Sequence, residues 1–443
     1  MQRVLVSGQP ERRRGLAFRF VHAADIHLDS PLRTLALRDA GVGRLIADAT
    51  REALARIVDI CIEEQVDALV VAGDLYDGDQ TSMKTALFLA GQMRRLEEAG
   101  VRVYIIRGNH DATSRITREL TFPANVTVFG GHAQAVEVAR PAGATPVFIH
   151  GLSFARPHAP ESLLPKFKAP VAGAINIGVM HTSLGGAEGH DVYAPCAIAD
   201  LDGSGFDYWA LGHIHKRAVY QGRCAIVMPG NPQGRDINEA GPRSVTLVSI
   251  DDARAVTLEE RLTSVAEFAR AEVDLGGAQT RADVAERLHR GLAELRQSVG
   301  SQHLVARLRL GGATVMAGWA RRDADRLLAE AMAAAQRLDH CFIDKVEIGP
   351  DLRDITPAVM ASDADPTHEL AHLISERVLV SEAFAAAART ALSDVVGQLP
   401  PELRDAFDPG HDAARDALIA ALAREGAADA LACLSADATE QDG

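Results

Sequence analysis

Phe18-Arg19-Phe20-Val21-His22-Ala23-Ala24-Asp25-Ile26-His27-Leu28-Asp29 holds the pattern that decides the fold. A short apolar run with aromatic and β-branched residues reads as a buried strand, and it gives way abruptly to two metal-ligand residue types spaced two apart. In an extended backbone, residues i and i+2 project to the same side, so Asp25 and His27 can serve one cavity. Four further runs repeat this design. Residues 68–72 lead into Gly73-Asp74, residues 101–106 into Gly108-Asn109-His110-Asp111, residues 175–180 into His181, and residues 206–211 into Gly212-His213-Ile214-His215. Ligands of α/β sheets bind outside the carboxyl ends of the strands, so five such ends point to one convergent site.

Helical spacing fills the intervals. Leu54, Ile57, Val58, Cys61 and Ile62 recur as one helix face between the first two strands. Leu89, Met93 and Leu96 do the same before Gly100, which sits where a helix C-terminus would place it. Strand-helix alternation predicts an α/β fold. Further strand-like runs at 147–150, 225–228 and 244–250 are expected to fill out a second sheet.

The texture changes after about residue 260. An apolar segment near Val273 precedes Thr280 and Asp283 in capping-box spacing, then Val284, Leu288, Leu292 and Leu295 on one helical face. A strand at Leu304–Leu310, a helix with Leu327, Leu328, Ala331 and Leu338, and a strand at Phe342–Ile348 complete a small α+β module. Beyond Asp363 the chain is Ala-rich, acidic and helical, interrupted by Pro400 and Pro401. The expected organisation is a flexible extension over 1–16 containing Arg12, Arg13 and Arg14, a main domain over 17–260, a capping domain over 261–360 and a helical tail over 361–443.

The 443 residues carry a formal charge of -14, yet 16 acids against 5 arginines lie in residues 363–443, leaving 44 acids and 41 bases in the other 362. Charge therefore does not exclude DNA from the main domain, although the basic stripe of a strong duplex binder is missing. Cys61, Cys196, Cys224, Cys341 and Cys433 are scattered and form no C-x-x-C pair. With no secretory signal and no apolar run long enough to span a bilayer, a cytoplasmic protein is expected.

Imidazole, carboxylate and amide oxygen make a mixed nitrogen and oxygen shell without thiolate, which suits manganese, iron or zinc, with manganese the first choice. Two divalent ions against the carboxylates of Asp25 and Asp74 leave a positive pocket for a phosphodiester.

These motifs resemble the calcineurin-like metallophosphoesterase superfamily and, more narrowly, DNA repair exonucleases of the SbcD and YhaO type. Pro229-Gly230-Asn231-Pro232-Gln233-Gly234-Arg235 and His190-Asp191-Val192-Tyr193-Ala194-Pro195-Cys196 strengthen the YhaO side. The resemblance implies a helix-flanked β-sandwich (α/β/β/α) followed by a small α+β capping domain and helical tail. It also implies that Asp25, His27, Asp74 and His215 hold one metal and that Asp74, Asn109, His181 and His213 hold the other. His110 becomes the catalytic histidine. Asp111 either orients its imidazole or stabilises the turn, and Asp77 is read as structural or as supporting the ligands from behind. His190 is a candidate substrate contact, whereas His22, His132, His150, His158 and His303 match no motif.

The implied activity is a metal-dependent DNA exonuclease, the nuclease subunit of a repair complex. The alternatives are hydrolysis of cyclic nucleotides or other phosphoesters, and a non-catalytic scaffold. Protein phosphatases of the superfamily usually show G-N-H-E where this chain has G-N-H-D, and a scaffold would be expected to have lost ligands. The chain has no phosphate loop of its own. The resemblance accordingly implies an SbcC-like or YhaN-like coiled-coil ATPase docked on the 363–443 helices, with homodimerisation a further expectation.

Overall fold

A computed structural model of the chain describes residues 17–30, 40–76, 82–113, 122–154, 156, 160–185, 193–355, 366–399 and 412–434. The chain divides into two compact units. The first comprises Met1–Phe268 with Gly300–His303, and the second Ala269–Val299 with Leu304–Gly443. The first unit thus extends past the change in texture near residue 260.

The first unit begins with β1 (Phe18–Ala23), α1 (Ala40–Glu63), β2 (Ala68–Ala72), α2 (Met83–Glu98), β3 (Arg102–Ile106) and β4 (Val126–Val128), whose strands run parallel. A second sheet follows from β5 (Gln134–Val138), β6 (Val147–Gly151), β7 (Ile175–His181), β8 (Tyr208–Gly212), β9 (Ala218–Gln221) and β10 (Ala225–Met228), in the spatial order β5-β6-β7-β8-β10-β9. A short helix, α3 (Ile198–Asp202), lies between β7 and β8 in the chain. The polypeptide then returns to the first sheet as β11 (Ser244–Ile250) and β12 (Val256–Leu262), giving the order β12-β11-β1-β2-β3-β4.

That return corrects one sequence expectation. Residues 244–250 do not help to fill the second sheet, because β11 pairs antiparallel with β1 from Phe18↔Ile250 to His22↔Thr246. An apolar run announces a buried strand but carries no information about which strand it will lie beside. Of the five strands that carry the motifs, β1, β2 and β3 belong to one sheet and β7 and β8 to the other.

Alternation explains the layering. Phe18 and Phe20 of β1, Val70 of β2 and Tyr104 of β3 join Ile177, Val179, Tyr208 and Ala210 in the core between the sheets. The opposite faces, with Val21, Leu69, Val71, Val103 and Ile105, bury Leu54, Ile57, Val58 and Cys61 of α1 and Leu89, Met93 and Leu96 of α2. Each fully buried aliphatic or aromatic side chain contributes roughly 1.5–3 kcal/mol over its exposed state, so this double-sided burial holds the strand ends in place. The second helix stops where the sequence predicts. Gly100 takes φ +74°, its N–H donates to Glu97 and the Val101 N–H donates to Leu96, which closes the helix end with a left-handed residue.

The second unit is built on β13 (Ala266–Asp274, from Ala269 on), α4 (Arg281–Ser298), β14 (His303–Gly311, from Leu304 on), α5 (Ala317–Arg322), α6 (Ala324–Gln336) and β15 (Cys341–Ile348), the three strands forming one sheet. The capping box forms: the Asp283 N–H donates to Thr280 Oγ1 at 3.2 Å and the Thr280 N–H to the Asp283 carboxylate at 2.9 Å. Leu288 and Leu292 are fully buried. Leu338 lies just beyond α6 rather than within it, and Leu328 is exposed on its surface. The tail supplies α7 (Pro366–Leu373), a π turn at Ile374–Val378, α8 (Glu382–Gln398) and α9 (Asp412–Leu434). The 1–16 extension and the Pro400-Pro401 break lie outside the described residues. Among the described residues, no helix is long and apolar enough to cross a membrane.

Candidate metal centre

The ligand loops are stitched together by main chain before any side chain is considered. The Asp25 N–H donates to the Gly73 carbonyl and the His27 N–H to the Asp74 carbonyl, both at 3.0 Å, so the loops after β1 and β2 run in register. The Thr182 N–H reaches the Gly212 carbonyl at 3.1 Å, which joins the loops after β7 and β8. Between the two pairs, the His213 N–H lies 3.0 Å from both Asp25 carboxylate oxygens.

Local backbone strain accompanies this convergence. Asp25, His27, Asp74 and His213 all have positive φ, at 52°, 46°, 52° and 103°. Side-chain-bearing residues seldom adopt that region, and such strain gathers at functional sites where the surrounding structure enforces it. At Gly108, by contrast, no side chain is tolerable. A Cβ there would overlap the Asp74 carboxylate, which explains the glycine that opens Gly108-Asn109-His110-Asp111.

The structure brings all seven sequence-derived ligand candidates to one place. Asp25, His27 and His215 present ligand atoms within 4.8 Å of one another, as do His27, Asp74 and His110, and Asp25, Asp74 and His181. His27 Nε2 and His215 Nε2 are 3.2 Å apart, and His181 Nε2 is 2.9 Å from Asn109 Oδ1 and 3.3 Å from Asp74 Oδ2. The His213 ring lies beside that of His181, with centroids 5.2 Å apart. His110 has its ring 5.0 Å from His27, and its backbone N–H donates to Asp74 Oδ1 at 3.0 Å.

The electrostatics suit cations. Asp25, His27, Asp74 and His181 are buried. Burial pushes the Asp25 carboxyl above its ordinary range, despite the opposing pull of His181 and His215. Burial acts on Asp74 in the same sense, but His181, His27 and His110 outweigh it and hold that carboxyl well below the usual range. His181 is pushed up to about 9, because its ion pair with Asp74 and the nearby Asp25 overcome the effect of burial. Two desolvated carboxylates side by side, ringed by imidazoles and an amide oxygen and with no thiol among them, fit a pair of hard or borderline divalent ions.

Supporting contacts resolve what motifs left open. Asp111 accepts backbone N–H bonds from Leu75 at 3.0 Å, Tyr76 at 2.8 Å and Gly108 at 3.3 Å, so of its two sequence readings the turn-stabilising one is what the geometry displays. Asp29 receives Arg51 through two bonds of 2.6 Å and braces the β1 loop. His22 sits between the sheets, bonded to Tyr208 Oη at 2.9 Å, and burial lowers its pKa to about 3. His150 is bonded to Asn176 at 3.0 Å. Asp77, His158 and His190 lie outside the described residues.

Sequence reading missed three neighbours of the site. Glu239 lies 2.6 Å from His215 Nδ1, Arg235 3.2 Å from the same nitrogen, and the Tyr193 ring stands 5.2 Å from that of His213. Arg235 and Tyr193 fall inside the two segments that carried the YhaO likeness, which was the available signal. Glu239 lies outside both.

Comparison with known families supports the same core. Residues 18–217 match the calcineurin-like phosphoesterase family model. They are a calcineurin-like phosphoesterase domain. Residues 268–349 match the middle domain of metallophosphoesterase YhaO, so the phosphoesterase domain is followed by a YhaO-type segment. The uncharacterized metallophosphoesterase YhaO of Bacillus subtilis is 37% identical over 232 residues, which are 52% of this chain and 57% of that protein. The DNA double-strand break repair protein Mre11 of Sulfurisphaera tokodaii is 27% identical, covering 48% of this chain and 53% of its own. The SbcD component of nuclease SbcCD of Bacillus subtilis is 24% identical, covering 56% and 70%. The chain thus spans little more than half the length of the first two.

Proposed function

We propose that this protein is a two-metal phosphodiesterase that cleaves DNA as an exonuclease. The observation that carries the proposal is the sharing of ligands: Asp25, His27 and Asp74 each belong to two overlapping clusters of ligand atoms, with His110 in one of them. Shared ligands suit two ions held side by side. Such a pair, with manganese the first choice, would polarise a phosphoryl oxygen and activate water near neutral pH. Asp25, His27, Asp74 and His215 would hold one ion, and Asp74, Asn109, His181 and His213 the other.

The chain's own part is positioning and proton transfer. His110, tethered through its backbone to Asp74 and less enclosed than Asp25, His27, Asp74 and His181, is placed to protonate the leaving oxygen. Asp111 holds the loops that carry Asp74 and His110. The likeness to proteins named for double-strand break repair and for nuclease activity supports DNA over cyclic nucleotides. We extend the reading to a partner. The acidic tail exposes Val380 by 73% and Val395 by 58%, which suits docking of a coiled-coil ATPase, and equal recovery of that ATPase with and without residues 363–443 would count against it.

The deciding experiment compares end-labelled single- and double-stranded DNA, a cyclic nucleotide and a phosphopeptide, after chelation and reloading with manganese, magnesium or zinc. Cleavage of DNA restored by manganese is expected. Turnover of only the last two substrates would move the protein to the alternative phosphoesterase reading.

A further inference from the structure

The imidazoles of the metal centre are braced in unequal ways. His181 Nδ1 meets the Ala72 carbonyl at 2.9 Å, a neutral acceptor. His215 Nδ1 meets the Glu239 carboxylate at 2.6 Å, an ionised one.

The surrounding bonds leave Glu239 little freedom. Its Oε2 accepts from the Arg235 N–H at 2.7 Å and from Asn231 Nδ2 at 2.8 Å, while its Oε1 also takes Arg235 Nη2 at 3.0 Å. Arg243 ties the two residues through their backbones, donating to the Glu239 carbonyl at 3.1 Å and to the His215 carbonyl at 2.7 Å. The 3.2 Å approach of Arg235 Nη2 to His215 Nδ1 does not compete. The carboxylate is the nearer group and can only accept, so Nδ1 must donate to it, and Arg235 is a second donor around the same oxygen.

We propose that Glu239 is a positioning residue of the metal centre, and that with Arg235 as counter-ion it fixes the His215 proton on Nδ1 and turns the Nε2 lone pair toward Asp25 and His27. The proposal rests on the two-metal reading above. A carboxylate behind a ligating histidine raises its basicity and sets its orientation. The ion held by Asp25, His27 and His215 is therefore the more tightly bound of the two, and it is the one that depends on Glu239. No motif reading assigns this residue, because its role exists only once the turn after Arg235 folds back onto the loop after β8.

The test is a manganese titration by calorimetry of the full-length wild type, Glu239→Gln and Glu239→Ala, with anomalous diffraction at limiting manganese to locate the ions. Two binding events are expected for the wild type, the stronger at Asp25, His27 and His215. Glu239→Ala should weaken that event by about 100-fold and Glu239→Gln by about 10-fold, with the other event within about 2-fold of wild type. Nitrogen-15 NMR of the metal-free wild type at pH 8 should find the His215 proton on Nδ1, a reading that needs no variant to fold. Wild-type affinity in Glu239→Ala, equal weakening of both events, or the proton on Nε2 would overturn the proposal. A wild type that takes up no manganese would instead sink the two-metal reading itself.

Discussion

Strand ends in the two units solve the same geometric problem with different residues. In the second unit the left-handed positions beside the sheet go to Gly277 and Gly312, at φ 75° and 97°, and among the described residues His340 is the one non-glycine with positive φ. In the first unit, Asp25, His27, Asp29, Asp74 and His213 occupy such positions with full side chains. Where the chain needs only to turn, glycine does so without strain. Where it must turn and also present a carboxylate or an imidazole, strain of order 1–3 kcal/mol per residue is tolerated because the surrounding hydrogen bonds enforce it. In the first unit the strained positions gather at the ends of the strands that carry the candidate ligands, which the glycines of the second unit do not do.

The sharpest way to break this contrast is His110→Ala. Loss of a general acid should cost on the order of 10²- to 10⁴-fold in cleavage rate, while metal content measured by mass spectrometry stays at the wild-type level. Unchanged cleavage would remove His110 from the reaction. Leu288→Ala in the second unit tests the other side. This fully buried leucine should cost about 2–5 kcal/mol in chemical denaturation of that unit, with metal affinity of the first unit unaltered. A fall in metal affinity would show that the second unit bears on the site.

The smallest effect is electrostatic. His181 is raised to about 9 in the metal-free protein, above its ordinary value near 6.5. The stabilisation from its ion pair is therefore complete below the unfolded value and is lost as pH rises through about 9. Metal must displace the same proton, so affinity should strengthen with pH by up to about tenfold per unit, levelling off near pH 9. Opposite slopes for metal-free stability and manganese affinity across this window are expected from thermal melts and calorimetry at several pH values, and parallel slopes would contradict the assignment of the proton.

Much of this was legible in sequence, because the signals were local. Short apolar runs rich in β-branched and aromatic residues marked β1, β2, β3, β7 and β8, helical spacing marked α1, α2 and α4, and polar residues directly after the runs marked the strand ends. Partner choice was not legible. The run at 244–250 looks like any buried strand, and only the folded chain places it beside β1 rather than in the second sheet. Glu239 escaped for a related reason: it sits 24 positions from His215, in a three-residue turn with no periodicity to announce it. Asp111 was visible but ambiguous, since a carboxylate after a histidine in sequence can serve the ring or the backbone, and its three N–H donors come mostly from another loop.

One consequence follows from the main-chain stitching of the β1 and β2 loops. Since carbonyls and amides zip these loops together, a protein treated with a chelator is expected to keep the outline of its cavity, and reloading should then be a matter of diffusion rather than of refolding. On the two-metal reading, the ion it carries would be set by supply in the surroundings as much as by the polypeptide, and exchange of one divalent ion for another would need no rebuilding of the loops.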